Sequence, residues 1–211
     1  RTVHTGLPLR QDVLDALTKA RDARRRPEGP GFHVLVTGGS QGAHGLNTLV
    51  APILASLAVS DPNVRVTHQT GQADLADVRA VYAQTPAQVT VLPFIDDIGA
   101  AYAQADLAIT RAGAATCAEL ARVALPAILI PLPTAADDHQ RLNAQALVQC
   151  GGALCIDQSA PPAQLAEAIR QLYSDPLLRQ IMRDALADLP RPDATQALAD
   201  LLLEVAAAPN P

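Results

Sequence analysis

Short aliphatic runs alternate along the chain with longer stretches of helical period. The runs occupy residues 33–37, 64–67, 89–94, 107–110, 127–132 and 153–156. Each is rich in Val, Ile or Leu, as a parallel strand covered by helices on both faces should be. Six such strands separated by helices predict an α/β fold built on one Rossmann-like, six-stranded parallel sheet. Between the first two runs, Leu46, Leu49, Val50, Ile53, Leu54 and Leu57 follow the spacing of a single apolar helix face. Pro52 lies inside that face and predicts a kink. Beyond the last strand the pattern is purely helical, over 162–172, 176–189 and a segment after Pro190-Arg191-Pro192.

The opening stretch differs. Residues 9–20 have helical period, but Arg21, Arg24, Arg25, Arg26, Pro27, Gly29, Pro30 and Gly31 end it in a charged connector. These features divide the chain into a lead-in helix and connector (1–31), a nucleotide-type Rossmann-like domain (32–189) and a C-terminal helix and tail (190–211). The arginine cluster could touch acidic lipid headgroups, but cations at a helix C-terminus also simply complement its dipole, which is the plainer reading.

Sixteen Lys and Arg against 21 Asp and Glu leave the 211-residue chain at a net charge of −5, with only two Phe and three Tyr. An acidic chain with so few stacking platforms is a poor nucleic-acid binder, and that class is set aside. No apolar run approaches the ~20 residues that span a bilayer, so a water-soluble protein is expected. Cys117, Cys150 and Cys155 are odd in number and lack C-x-x-C spacing. Neither a disulfide framework nor a zinc site is expected, and a reducing cytoplasm fits best. The single methionine is Met182, and the chain reads as a piece of a longer polypeptide.

The first strand runs into Thr37-Gly38-Gly39-Ser40-Gln41-Gly42-Ala43, directly before the amphipathic helix. Strand, glycine turn and helix form a phosphate-site arrangement, because glycines admit an anion close to the backbone and free N–H groups at the helix start donate to it. The same glycines would also serve a tight turn and nothing more. Ser40 occupies the second glycine position of G-x-G-x-x-G, and the second strand ends in Thr67-His68-Gln69-Thr70 with no ribose-binding acid, so this is not the dinucleotide fingerprint. A second such turn, Thr110-Arg111-Ala112-Gly113-Ala114-Ala115-Thr116-Cys117-Ala118-Glu119, follows the fourth strand. Two anion-ready turns suggest a diphosphate. Thr116 and Glu119, three apart on one helix face, offer a hydroxyl for phosphate and a carboxylate for vicinal hydroxyls, the needs of a nucleoside diphosphate. Glu119 could instead be an early-turn acid favoured by the dipole.

After the fifth strand comes Asp137-Asp138-His139-Gln140-Arg141-Leu142-Asn143-Ala144. Gln140 and Asn143 pair amides, which donate and accept together as sugar hydroxyls require; helix capping by Asp137 or Asp138 is the plainer alternative. No D-x-D occurs, and the five histidines show no ligand spacing, so no metal and no cofactor are expected.

Gly38-Gly39-Ser40-Gln41-Gly42-Ala43, Pro93-Phe94-Ile95-Asp96-Asp97, Arg111-Ala112-Gly113-Ala114-Ala115-Thr116 with Glu119, and His139-Gln140 with Asn143-Ala144 closely resemble the MurG family of N-acetylglucosaminyltransferases. The match in order and spacing runs from Thr5-Gly6-Leu7-Pro8-Leu9-Arg10 to beyond Ala144. Leu7, Ala112 and Ala115 depart from residues common in that family. The resemblance implies the C-terminal, donor-binding domain of a two-domain GT-B glycosyltransferase. Its reaction is inverting transfer of N-acetylglucosamine from UDP-N-acetylglucosamine to the lipid-linked muramoyl-pentapeptide, a step of peptidoglycan and cell-wall synthesis. It further implies that Arg10 lies against the uracil, that Ser40 binds the diphosphate and that the Ile95 backbone reads the uracil edge. Ala114, Ala115, Thr116, Cys117 and Ala118 would present amides to the phosphates, Glu119 would take the ribose, and Gln140 with Asn143 would take the sugar. Glycines 38, 39, 42 and 113 shape the turns. The catalytic base and the acceptor site would lie in the other half, and the enzyme would sit peripherally on the cytoplasmic face of the inner membrane. A naturally separate donor subunit of a split transferase, or a nucleotide-sugar-binding module without transfer activity, are the alternative readings.

Overall fold

The computed structural model describes residues 3, 5–9, 11–24, 31–39, 41–190 and 193–207. Helix α1 (Gln11–Arg24) leads into β1 (Phe32–Thr37), α2 (His44–Ser60), β2 (Val64–Gln69), α3 (Leu75–Tyr82), β3 (Gln88–Leu92) and α4 (Ile98–Gln104). The second half comprises β4 (Leu107–Thr110), α5 (Ala114–Val123), β5 (Ala127–Leu129), a short 3-10 turn (Ala136–Asp138), α6 (His139–Gln149) and β6 (Ala153–Cys155). Helices α7 (Pro162–Ser174), α8 (Pro176–Ala187) and α9 (Ala194–Ala207) follow. All five strand pairings are parallel, in the order β3-β2-β1-β4-β5-β6.

Each strand sends alternate side chains to opposite layers, and this produces two cores. Val34 and Val36 of β1, Leu107 and Ile109 of β4, and Ile128 of β5 pack with Leu46, Val50 and Leu54 of α2. Leu35, Ala108 and Leu129 of the same strands point the other way, toward Tyr102 of α4, Leu120 of α5 and Leu147 of α6. Strands buried on both sides account for the unbroken aliphatic runs in the sequence.

Three strands end earlier than the hydrophobic runs suggest: β6 by one residue at Cys155, and β3 and β5 at Leu92 and Leu129. Pro93 and Pro131 follow closely, and a proline has no N–H to extend a ladder. Helix α2 continues through Pro52 without interruption. Helix α1 packs on α4 and α5, with Leu17 fully buried in the second core. The arginines at 25 and 26, assigned to the connector, lie outside the described residues. Among the described residues no helix is long and apolar enough to cross a membrane. Cys117, Cys150 and Cys155 are all free thiols, and burial pushes that of Cys117 up to about 12.

Candidate functional site

Strand order reverses at the centre of the sheet: β1 pairs with β2 on one side and β4 on the other. Open α/β sheets bind ligands outside the carboxyl ends of their strands at such a switch point. The turns after β1 and β4 are brought side by side there. They border a cleft of about 420 Å³ lined by Gly38, Gly39, Gly42 and His44 from the first turn and Arg111, Gly113 and Thr116 from the second. Gln140 and Gln158 close its far side.

The first turn is built by backbone contact. Gly42 has φ +78°, and a Cβ there would sit 2.0 Å from the carbonyl oxygen of Thr70. Only glycine meets both conditions. Gln69, at the end of β2, donates from Nε2 to the Gly39 carbonyl (2.7 Å) and accepts from the Thr37 hydroxyl (2.6 Å). Behind the turn lies a buried polar chain. Asn47 donates to the Thr70 carbonyl (2.9 Å) and to Asp74 Oδ2 (2.7 Å), and accepts through Oδ1 from His68 Nε2 (3.1 Å). His68 Nδ1 then accepts from the Tyr82 hydroxyl at 3.1 Å. Burial depresses the His68 pKa to about 4, so the ring is neutral near pH 7 and that tautomer satisfies both neighbours.

The second turn is built from a buried cation. Arg111, 7% exposed, donates from Nη1 to the carbonyls of Ile130 (3.0 Å) and Pro131 (3.2 Å) and from Nη2 to Gln158 Oε1 (2.5 Å). Among the described residues these acceptors are all neutral, and its buried Nε has none. The guanidinium therefore places an uncompensated positive charge in the cleft wall. Gly113 caps α5 with extended backbone. The Cys117 amide is spent on the Gly113 carbonyl at 2.9 Å. The unspent amides of this helix start are those of Ala114, Ala115 and Thr116; Cys117 and Ala118, expected to share in presenting amides, are already inside the helical ladder.

Residues 33–198 match the family model described as the glycosyltransferase family 28 C-terminal domain. The chain belongs to this family. It is 42% identical over 201 residues to the UDP-N-acetylglucosamine--N-acetylmuramyl-(pentapeptide) pyrophosphoryl-undecaprenol N-acetylglucosamine transferase of Geobacter sulfurreducens, covering 95% of this chain and 55% of that protein. The transferase of the same name from Myxococcus xanthus is 41% identical over 201 residues, with 95% and 51% covered. The chain thus spans about half the length of the curated relatives it matches. The crystal structure of Acinetobacter baumannii MurG superposes with a TM-score of 0.76 at 37% identity, over 88% of this chain and 53% of that one. Glycosyltransferase VinC, at 18% identity and a TM-score of 0.60 over 89% of this chain and 44% of its own, shares the fold alone. The fold is that of the C-terminal half of a GT-B enzyme, as the motifs imply.

In this family 28 domain, Glu119 lies one turn along α5 from Thr116 and is half-buried. Burial raises its pKa, and the hydrogen bond from Tyr102 Oη to Oε2 (2.8 Å) partly offsets that rise. Among the described residues no side chain donates to Oε1. Gln140 uses Oε1 to accept from the Leu132 amide (2.9 Å) and keeps its Nε2 for the cleft. Asn143 donates to the Ala112 carbonyl (3.0 Å), which ties α6 to the second turn and leaves Oδ1 to accept. Asp138, the N-cap of α6, makes no side-chain cap hydrogen bond: Asp137 and Asp138 have φ 49° and 52°, and Asp138 pairs with Arg141 at 2.9 Å. Ile95 follows β3 at the same sheet edge and packs on the second core. The cleft lining includes glycines 38, 39, 42 and 113, Thr116 and Gln140, but not Ile95, Glu119 or Asn143. Arg10 and Ser40 lie outside the described residues. Among the described residues no three His, Cys, Asp or Glu side chains cluster as a metal site.

Sequence reading missed the roles of Tyr102, Gln69, Asn47, Gln158 and the Arg111 charge. The one available signal was Asn47, a polar residue beside Leu46 on the buried face of α2.

Proposed function

We propose that this chain is the donor-binding half of an inverting glycosyltransferase that transfers N-acetylglucosamine from UDP-N-acetylglucosamine to a lipid-linked muramoyl-pentapeptide. The observation that carries the reading is the pair of helix N-termini, α2 and α5, opening on one cleft at the topological switch point with a buried Arg111 in its wall. The names of the relatives supply the substrate class.

The diphosphate lies across the two turns, facing the unspent amides of Ala114, Ala115 and Thr116. Glu119 accepts from the ribose hydroxyls through Oε1, and the Ile95 backbone and Arg10 hold the uracil. Ser40 adds a phosphate contact, and Gln140 and Asn143 hold the sugar. As the acceptor hydroxyl attacks the anomeric carbon, charge builds on the leaving UDP. Preorganised amides, helix dipoles and the Arg111 field stabilise it without reorganisation. The attacking hydroxyl and its base belong to the acceptor-binding half, which docks on the cytoplasmic face of the membrane that holds the lipid.

Two experiments test this. Glu119→Ala weakens UDP binding by about 1.5–3 kcal/mol, the range for hydrogen bonds to a charged group, and leaves 2′,3′-dideoxy-UDP affinity unchanged; equal losses for both ligands would make Glu119 structural. In the second, radiolabelled N-acetylglucosamine enters the lipid precursor only when an acceptor-binding half is supplied, because attack needs a base within about 3 Å of the acceptor hydroxyl. Incorporation by this chain alone would overturn the divided site.

A further inference from the structure

The donor reading leaves a basic residue of the cleft unused. His44 is the first residue of α2, and its side chain is 80% exposed at the cleft. A basic residue there is the wrong charge for the helix, whose N-terminus is already positive, and the right charge for an anion bound to it. The fold compensates. His44 Nδ1 lies 2.9 Å from Asp74 Oδ1, while Asp74 Oδ2 accepts from Asn47. Burial alone would raise the Asp74 pKa, but the hydrogen bonds from His44 and Asn47 bring it below its ordinary value, so the group is a carboxylate. A carboxylate only accepts, hence Nδ1 carries a proton. Nε2 is the nitrogen left for a ligand, and it can donate only when the ring is the imidazolium.

The charged and titratable groups around His44 assign it a distinct part. Arg111, across the cleft, is turned back onto the carbonyls of Ile130 and Pro131 and acts through its field. His68, behind Asn47, is kept neutral by burial and does not compete for Asp74. His44 is the exposed basic side chain of the cleft, Arg111 the buried one.

We propose that His44, oriented by Asp74, binds the donor's diphosphate by donating from Nε2 to a phosphate oxygen as the imidazolium, with Asp74 as its positioning residue. The proposal rests on the donor-site reading given above. It divides the cleft's positive charge between a fixed, buried guanidinium and an exposed imidazolium held at the cleft by Asp74.

The test compares ligands with and without phosphate. UDP and UDP-N-acetylglucosamine are titrated calorimetrically, and uridine by ligand-observed NMR, into this chain and its His44→Ala, His44→Lys and Asp74→Asn variants. His44→Ala weakens both diphosphates about tenfold or more, the loss of one charged hydrogen bond, and leaves uridine unchanged. His44→Lys restores most of the loss. Asp74→Asn weakens the diphosphates several-fold, again sparing uridine. Equal losses for uridine and UDP, or UDP affinity unaffected in His44→Ala, would overturn the assignment while leaving the donor site standing. A wild-type chain that binds no UDP at all would overturn the donor site, and this inference with it.

Discussion

In the turn after β1 backbone packs on backbone, whereas in the turn after β4 side chains pack on backbone. A Cβ on Gly38 would meet that of Ala43 at 2.4 Å, and one on Gly42 would meet the Thr70 carbonyl at 2.0 Å. From the opposite side, Gly71 (φ +76°) admits the Gln41 carbonyl, 2.2 Å from where its own Cβ would be. At Gly113, by contrast, the nearest atom to a Cβ would be Thr116 Oγ1 at an ordinary 3.7 Å. What fixes the second turn is Arg111, Asn143 and the Tyr102–Glu119 pair. Two turns to which the same task is proposed therefore differ in what they tolerate: the first depends on the absence of side chains, the second on their presence.

The largest effect is expected at the first turn. Gly42→Ala forces a positive φ on a residue with a Cβ and drives that Cβ into a carbonyl, a combined cost of about 3–5 kcal/mol. Urea denaturation measures it, and a loss below about 1 kcal/mol would show that the 70–71 loop simply moves aside. Next comes acid. The His68 pKa of about 4 lies below its ordinary 6.5, so between these values the unfolded chain binds more protons than the folded one. The His68 contribution to stability therefore falls as pH drops from about 6.5 to about 4, by roughly 3 kcal/mol in total, and that contribution levels off below. His33, whose pKa is also lowered by burial, adds to the slope. Denaturation at pH 7, 5 and 4 should show the decline, and His68→Gln should flatten most of it; an unchanged slope would place the acid sensitivity elsewhere.

The contrast also explains what could be read from sequence. Both glycine turns and all six strands were legible, because apolar runs and glycine spacing are local signals. The face of α2 was legible through Leu46, Val50 and Leu54. Nothing local announced that Tyr102 would meet Glu119, that Gln69 would brace Gly39, or that Asn47 would join His68 to Asp74. These pairs are 17 to 30 residues apart and meet only once the parallel crossovers are made. Helix α1 shows the same limit: its period was visible, but not that Leu17 would complete the second core beneath α4 and α5. Gln140 and Asn143 were legible as an amide pair. That each would spend one group on the backbone of a neighbouring loop was not.

At the second turn the sensitive groups are side chains, so a hydroxyl deletion should register. Tyr102→Phe keeps the buried ring and removes the donor to Glu119 Oε2. UDP affinity should fall by about 1 kcal/mol, less than for Glu119→Ala, since the carboxylate remains but is less well held. The Glu119 pKa should rise further, because the Tyr102 hydrogen bond is what restrains it against burial. Affinity in Tyr102→Phe should consequently fall off at a higher pH than in the wild type. An identical pH profile would mean that Tyr102 does not position the carboxylate.

The smallest effect, and the sharpest test of the contrast, is Gly113→Ala. This glycine has φ −63° and ψ 148°, a conformation any residue adopts, and the space a methyl needs is open. Two opposing contributions remain. Alanine narrows the unfolded ensemble and so stabilises by about 0.4–1 kcal/mol. It is also a poorer helix N-cap than glycine, at a cost of up to about 1 kcal/mol. The sum should lie within about 0.5 kcal/mol of zero by denaturation, an order of magnitude less than for the same substitution at Gly42. Binding is the finer readout. Gly113 lines the cleft, and its added methyl stands beside Thr116, so UDP affinity should change more than stability does, while uridine binding stays as it was. If Gly113→Ala instead unfolds the chain as Gly42→Ala is expected to, the second turn too is built on backbone proximity, and the division between the two turns fails.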